Sequence, residues 1–486
     1  MKQILIDPIT RLEGHGKIAI FLNDKGNVEN AYMQIPELRG FEKFAQGRRA
    51  EDMPQITSRI CGVCPVAHHF AATKALDDAF NVEPTLVAKK LRELMYCGYF
   101  IYDHILHFYY LGGPDFVVGP DAPAAKRNVL GVIEKAGVEI GKEVIKHRAY
   151  GQKITAILGG KATHPVCGLP GGVSKGLNND EVKDIETMTK SCKDFAIFTL
   201  KLFDDIVLAN KDYVDLILSD PYQLKILNMG LVDKNNKVNF YDGKIRVTDL
   251  DAKEHVKFDV KDYYNIIAEH VEEWSYIKFP YLKSIGWNGY KDGKGTGLYR
   301  VGPLGRLNAS EGMATPLADK EFKRMYKTLG GRPVHSTLAF HWARLIELLY
   351  ATERTLELIK EPDITSDDIR NPVGKPGEGF GVVEAARGTL IHHYKLDKDG
   401  LIDKANLIVA TVNNAAAMNM SIRDAARGLI KDGKVNDGLL NMVEMAFRAY
   451  DPCFGCATHT LPGQMPMKVK IYNHNKELYK TLKQNL

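Results

Sequence analysis

The sequence predicts a mainly α-helical chain with β additions, an α+β protein built around one large helical body. Three observations predict it. Segments that are periodic at helical spacing, or apolar on most faces, recur from about Thr57 to Tyr450. Strand-like patterns are confined to the N-terminus as far as Ile35 and to an excursion near residues 227–309. No repeat and no Ser- or Pro-rich linker divides the 486 residues.

The elements follow in order. ILIDPITRLEGHGKIAIFLNDKGNVENAYMQI alternates moderately, and NDKGN supplies a hairpin turn. Pro84 to Leu111 is apolar on most faces after its first turns, which predicts a central rather than a surface helix. Asp180–Leu218, Lys320–Leu329 and His335–Ile359 also read as helical. Between Leu227 and Ala309 the character changes. NKVNFYDGKIRVTD has a hairpin signature with Asp242-Gly243 at its turn, and aromatics and glycines are frequent. Helical patterns return at Ala405–Ile430 and Val435–Tyr450.

Composition excludes several classes of function. Hydrophobic residues at 45% and charged residues at 26% are ordinary globular values, so a disordered or collagen-like chain is excluded. The net charge of +5 is spread over 65 basic and 60 acidic residues without a basic block, which gives nucleic-acid binding no support. The start, MKQILIDPITRLEG, does not read as a secretion signal. Seven cysteines, an odd number, argue against a disulfide framework. No run approaches the roughly 18 uncharged residues of a membrane helix. Even Ser336–Ile359 contains Arg344, Glu347, Glu353, Arg354 and Glu357. A soluble, cytoplasmic protein is the expectation.

Two Cys-x-x-Cys pairs stand near opposite ends, Cys61/Cys64 in RICGVCPVAHH and Cys453/Cys456 in DPCFGCATH. This spacing lets one loop or the first turn of a helix offer two thiolates to one metal, with backbone N–H groups helping to hold the negative sulfur. Four thiolates suit zinc, iron or nickel. From the pairs alone, a structural zinc site and a dithiol redox centre both stay open. The wide separation argues against zinc, whose ribbons staple compact local segments.

The residues around the pairs carry more. Arg59-x-Cys61-Gly62-x-Cys64-x-x-x-His68 and Asp451-Pro452-Cys453-x-x-Cys456-x-x-His459 resemble the two signatures of the large subunit of nickel–iron hydrogenases. Between them lie RLEGHG (Arg11–Gly16), RGFE (Arg39–Glu42), DHILHFY (Asp103–Tyr109), VGPLGRLN (Val301–Asn308) and EAARG (Glu384–Gly388), all similar to family landmarks. Among the branches, the chain looks most like the cytoplasmic archaeal, methyl-viologen-reducing type that does not use the deazaflavin coenzyme.

The resemblance implies roles. Cys61 and Cys453 would be terminal nickel thiolates, and Cys64 and Cys456 would bridge to an iron carrying carbon monoxide and two cyanides. Splitting hydrogen heterolytically needs an acceptor for the electron pair and a base for the proton. Glu13 matches the family's proton-relay carboxylate beside Cys453. Arg387 matches the arginine over the metals, with Asp103 and Asp451 orienting it. His68 matches the histidine that donates to bridging sulfur, and Thr411 the hydroxyl that donates to a cyanide. Glu42, His459 and the backbone carbonyl of Leu407 match the ligands of a magnesium, which is iron in some members. His69, His104 and His107 are expected in the core or facing a partner.

Two departures are visible. Ala386 before Arg387 and Ala410 before Thr411 stand where many relatives have proline, and each restores a backbone N–H.

Residues 1–459 would form the hydrogenase domain and residues 460–486 a C-terminal extension removed on maturation by an endopeptidase; the alternative for this tail is an ordinary helical C-terminus. With the tail attached, Cys453 and Cys456 are expected to stand apart from Cys61 and Cys64. Cys97, Cys167 and Cys192 are scattered without cluster-like spacing. Electrons therefore need an iron–sulfur small subunit, joined in methanogens by a further electron-transfer subunit with heterodisulfide reductase. Within the family, deazaflavin- and NAD-reducing enzymes are the alternatives. Outside it stand a non-catalytic scaffold like the quinone-site subunit of respiratory complex I, which lacks the cysteine pairs, and a zinc-stabilised interaction protein.

Overall fold

A computed structural model describes residues 2–458 and 467–484. The alternation of the first segment becomes a three-stranded antiparallel sheet, Lys2–Ile6, Lys17–Leu22 and Val28–Gln34, with Ile20 opposite both Ile4 and Ala31. The NDKGN turn closes it, with the Gly26 N–H donating to the Asn23 carbonyl at 2.9 Å.

The central helix runs Leu86–Leu106 and is capped by Thr85, whose hydroxyl accepts the Ala88 N–H at 3.1 Å. Past Leu106 it widens into a π-helical turn, His107–Gly112, so the predicted helix changes winding near its end. The helix Val138–Gly159 crosses it closely. A Cβ on Gly151 would lie 2.8 Å from the Tyr102 nitrogen, so only glycine allows this approach. Phe340–Leu358 and Asn179–Phe203 complete the body, the latter started by a capping box of Asn178 and Glu181. The predicted helix Asp180–Leu218 divides after Phe203 into a π-helical turn, Asp204–Leu208, and a separate helix, Lys211–Leu218, capped by Asn210.

Three further departures have physical causes. In the 227–309 excursion, Lys244–Thr248 pairs with Leu227–Val232, not with the KVNFY segment just before Asp242-Gly243. Gly243, at φ 138°, serves as the entry to that strand and not as a two-residue hairpin tip. Secondly, Glu378–Ala385, Gly388–Leu396 and Ile402–Ile408 form an antiparallel sheet that no alternation announces. Both of its faces are covered, one by the helix Pro65–Ala79 and the other by a small core of Met229, Val247, Val382 and Ile391. The predicted helix Ala405–Ile430 therefore begins as strand and becomes helical only at Ala410–Asn413 and Ala415–Leu429. Thirdly, the alternative reading of the tail as a helix is not met: Met467–Tyr472 and Leu478–Gln484 pair as a hairpin whose residues 470–480 are exposed.

Among the described residues, no helix is long and apolar enough to cross a membrane.

Candidate metal centre

Both cysteine pairs sit where loops turn into helices. Cys64 is the residue before the helix Pro65–Ala79, and Cys453 the residue before the short helix Phe454–Ala457. The first loop folds over its own sulfur: the N–H groups of Val63 and Cys64 both donate to Cys61 Sγ at 3.3 Å. The second loop is strapped to the N-terminal RLEGHG segment. Glu13 N–H donates to the Pro452 carbonyl at 3.4 Å, and Phe454 N–H to the Glu13 carbonyl at 2.9 Å.

The expectation that a chain with its tail would hold the pairs apart is not met. Cys61 Sγ lies 3.2 Å from Cys453 Sγ, Cys64 Sγ lies 3.4 Å from Cys456 Sγ, and the four ligand atoms are all within 4.8 Å of one another. The reason is local. The strap from residues 11–16 holds the loop that carries Cys453 and Cys456 against the N-terminal segment. All four cysteines are buried. Tetrahedral thiolates about 2.3 Å from a metal stand roughly 3.8 Å apart, so sulfurs all within 4.8 Å of one another suit a compact shared metal site.

Arg39 ties the two loops together from outside. Its Nη1 donates to the carbonyls of Ile60 (2.7 Å) and Gly455 (3.0 Å), its Nη2 to that of Arg59 (3.4 Å), and its own N–H to that of Thr458 (2.6 Å). The RGFE motif marked this position in the sequence, but nothing there announced a clamp.

Glu13 Oε2 accepts from Cys453 Sγ at 2.9 Å and from Gly455 N–H at 2.9 Å. Burial raises its pKa, and the neighbouring Cys61 charge adds to the rise, against the opposing hydrogen bonds. His68 Nε2 lies 3.5 Å from Cys456 Sγ, and its Nδ1 meets His392 Nε2 at 3.2 Å. His392 Nδ1 in turn meets the Tyr394 hydroxyl at 2.7 Å. His392 and Tyr394 were not singled out in the sequence; they share the unannounced sheet.

Arg387 lies at the tip of the hairpin that joins Glu378–Ala385 to Gly388–Leu396. Its two Nη atoms donate to Asp103 at 3.0 and 3.1 Å, and Nη2 lies 2.9 Å from Asp451 Oδ2. Burial works against this charge, but Asp103, Asp451 and the thiols outweigh it and hold the guanidinium pKa well above its ordinary value. Arg387 Nε has no hydrogen-bond partner among the described residues. Thr411, one residue into the helix Ala410–Asn413, accepts the Cys453 N–H at 3.2 Å, which leaves its own proton to donate.

Away from the sulfurs, buried Glu42 accepts the Leu407 N–H at 2.7 Å. His459 lies outside the described residues. His69, His104 and His107 are all buried: His69 meets the Pro54 carbonyl, His104 meets Glu347 and His107 the Arg448 carbonyl. Cys97, Cys167 and Cys192 are buried far apart in sequence and setting, and burial pushes Cys167 and Cys192 up to about 12. Among the described residues, Cys61, Cys64, Cys453 and Cys456 form the one cluster of three or more candidate ligands.

Fold and site together define a protein with a buried four-cysteine cluster suited to a metal, flanked by a buried carboxyl hydrogen-bonded to one of the thiols and by a fixed guanidinium. Comparison with known proteins narrows the class. The description "Nickel-dependent hydrogenase" matches residues 39–129 and 142–459, and "HoxL-like" matches residues 3–38. The chain is 50% identical to an F420-non-reducing hydrogenase iron-sulfur subunit from Archaeoglobus profundus, over 99% of this chain and 100% of the relative. It is 40% identical to the NAD-reducing hydrogenase HoxS subunit beta of Cupriavidus necator, over 97% of each chain. A crystal structure of an NAD+-reducing [NiFe]-hydrogenase in the H2-reduced state superposes with a TM-score of 0.86 and 36% identity, covering 94% of this chain and 100% of the other. The chain belongs to the nickel-dependent hydrogenase family, as the large, catalytic subunit of an oxidoreductase acting on H2. The readings as a complex-I-like scaffold or a zinc-stabilised protein fall away.

Proposed function

We propose that this subunit splits H2 into two protons and two electrons at a nickel–iron centre. Cys61 and Cys453 would hold the nickel alone, and Cys64 and Cys456 would hold it together with an iron that carries carbon monoxide and two cyanides. When bound, the metals supply the acceptor for the electron pair of H2. The chain supplies the rest. Cys453 passes a proton to Glu13, whose raised pKa suits a transient carrier. Asp103 and Asp451 hold Arg387 at the site, His68 donates to Cys456 sulfur, and the Thr411 proton is free for a cyanide. Glu42 and the Leu407 carbonyl, with His459, hold a magnesium, or iron in its place. The observation that carries the reading is the Glu13 carboxyl hydrogen-bonded to one of four converging buried thiols.

The described residues offer no second cysteine cluster for electrons, so they leave through an iron–sulfur small subunit. The F420-non-reducing name of the Archaeoglobus relative speaks against deazaflavin as the acceptor, and the resemblance to the cytoplasmic archaeal branch adds a further electron-transfer subunit and a heterodisulfide-reductase-type partner. The NAD-reducing relative keeps NAD as a second acceptor, and deazaflavin is a third. Residues 460–486 are a maturation extension removed by an endopeptidase.

Purification with the other subunits, metal analysis and H2-driven reduction of deazaflavin, NAD and viologen test the proposal. One nickel per chain is expected, with one iron, or two where iron takes the place of magnesium, and with viologen reduced and deazaflavin not. One zinc without iron sinks the metal assignment. Active enzyme whose mass still ends at Leu486 sinks the removal of the tail.

A further inference from the structure

The hairpin tip that carries Arg387 is not held by its own turn. Ala385 pairs with Gly388, so Ala386 and Arg387 form a two-residue loop. Such loops ordinarily place a positive φ at a central residue to match the twist of the strands. Neither Ala386 nor Arg387 has one; the positive φ, 139°, falls on Gly388. Alanine at 386 also leaves φ free and presents a buried N–H that proline would lack.

We propose that Tyr99 is a positioning residue for Arg387, its hydroxyl supplying the constraint that the hairpin tip lacks. Residues 96, 99 and 103 lie three and four apart on the helix Leu86–Leu106 and share one face. That face meets the tip residue by residue. The Tyr96 hydroxyl donates to the Glu384 carbonyl at 2.8 Å, the Tyr99 hydroxyl accepts the Ala386 N–H at 3.0 Å, and Asp103 accepts the Arg387 guanidinium. One rigid helix therefore sets both ends of Arg387, the peptide leading into it and the charge at its far end. Other donors hold the carbonyls: Arg306 bonds those of Ala385 (2.7 Å) and Ala386 (3.3 Å), and Asn414 that of Arg387 (3.2 Å). Tyr99 takes the Ala386 N–H, and Tyr99, Ala386 and Arg387 are all buried. A buried amide left without its acceptor is unfavourable, so the tip would move to find another partner.

This inference rests on reading Arg387 as the guanidinium at the metals. Its test is a cycle of Tyr99→Phe, Ala386→Pro and the double variant in the assembled enzyme. The readouts are hydrogen exchange of the peptide containing Ala386, and kcat and KM for H2-driven viologen reduction. In Tyr99→Phe, the Ala386 amide exchanges about tenfold faster or more, and kcat falls about tenfold with KM for H2 unchanged. The double variant, with no N–H left to satisfy, recovers kcat to within about threefold of wild type.

Unchanged exchange and kcat in Tyr99→Phe, or a double variant no better than Tyr99→Phe, overturns the role of Tyr99. If Tyr99→Phe yields no folded enzyme, the double variant decides: folding and activity support the pairing, and equal failure overturns it. Arg387→Lys is assayed alongside. Unchanged kcat there overturns the reading of Arg387 itself, whereas unchanged Ala386 exchange in Tyr99→Phe overturns the part of Tyr99 alone.

Discussion

A single methyl group added at Gly455 tests the proton path. Gly455 lies between Cys453 and Cys456, and its N–H donates to the Glu13 carboxylate. Its φ is not positive, so alanine fits the backbone and the strain falls on neighbours. The new Cβ would stand 2.6 Å from Glu13 Oε1, 3.0 Å from Glu13 Oε2 and 3.0 Å from Arg39 Nη1, where ordinary contact begins at 3.4 Å. The carboxylate must shift by about 0.8 Å at Oε1 and about 0.4 Å at Oε2, the oxygen 2.9 Å from Cys453 Sγ, and this misplacement lowers turnover roughly 10-fold. The assay pairs H2-driven viologen reduction with exchange between H2 and D2O, at measured nickel and iron content. Both rates fall together if Glu13 carries the proton. Retention of both within about twofold at full metal content refutes the reasoning.

Three further outcomes are expected. Glu13→Gln keeps an acceptor for the Gly455 N–H but cannot release a proton, so turnover falls roughly 100-fold or more with metal content unchanged; a smaller loss shows another exit for the proton. Gly388→Ala places a Cβ 2.1 Å from Val301 Cγ2 at a φ of 139°, and its thermal midpoint should drop sharply or folded protein be lost; a midpoint like that of wild type contradicts the tight hairpin. Burial pushes His69 down to about 4, and its neutral ring meets the Pro54 carbonyl and accepts the Gly168 N–H. A folded pKa below the unfolded value gives stability that is present above pH 6.5 and lost as pH falls toward 4. That loss amounts to about 3 kcal/mol, and the stability–pH curve of His69→Gln should be flatter by this amount. Parallel curves for the two proteins would rule it out.

Much of the site was legible because its chemistry is local. Each cysteine pair lies within one loop, and the Arg59–His68 and Asp451–His459 segments each carry a run of residue types that few other tasks require. The sheet Glu378–Ile408 was not legible, because a strand buried on both faces loses the alternation by which strands are read. The same burial hid His392 and Tyr394. The Asp242-Gly243 turn misled for a related reason. The dipeptide reports a permissive backbone at Gly243, but the strand that pairs with Lys244–Thr248 comes from ten or more residues upstream. Arg39 was visible as part of RGFE, yet a clamp on three carbonyls depends on where distant loops fall, and carbonyls leave no mark in a sequence.

By itself, the sequence determined the mainly helical class and the family, and it singled out the four cysteines and the carboxyl, guanidinium and histidine that the fold brings to them. Those are matters of residue type and short-range spacing. Only the tertiary structure decided that the two ends of the chain meet with their sulfurs in contact, that the RLEGHG segment and Arg39 bring them there, and that the hairpin tip bearing Arg387 is set by the face of a helix almost three hundred positions earlier. Such contacts are fixed by how packed surfaces fit in three dimensions, and a linear pattern records that a residue is apolar or charged but not what it will lie against.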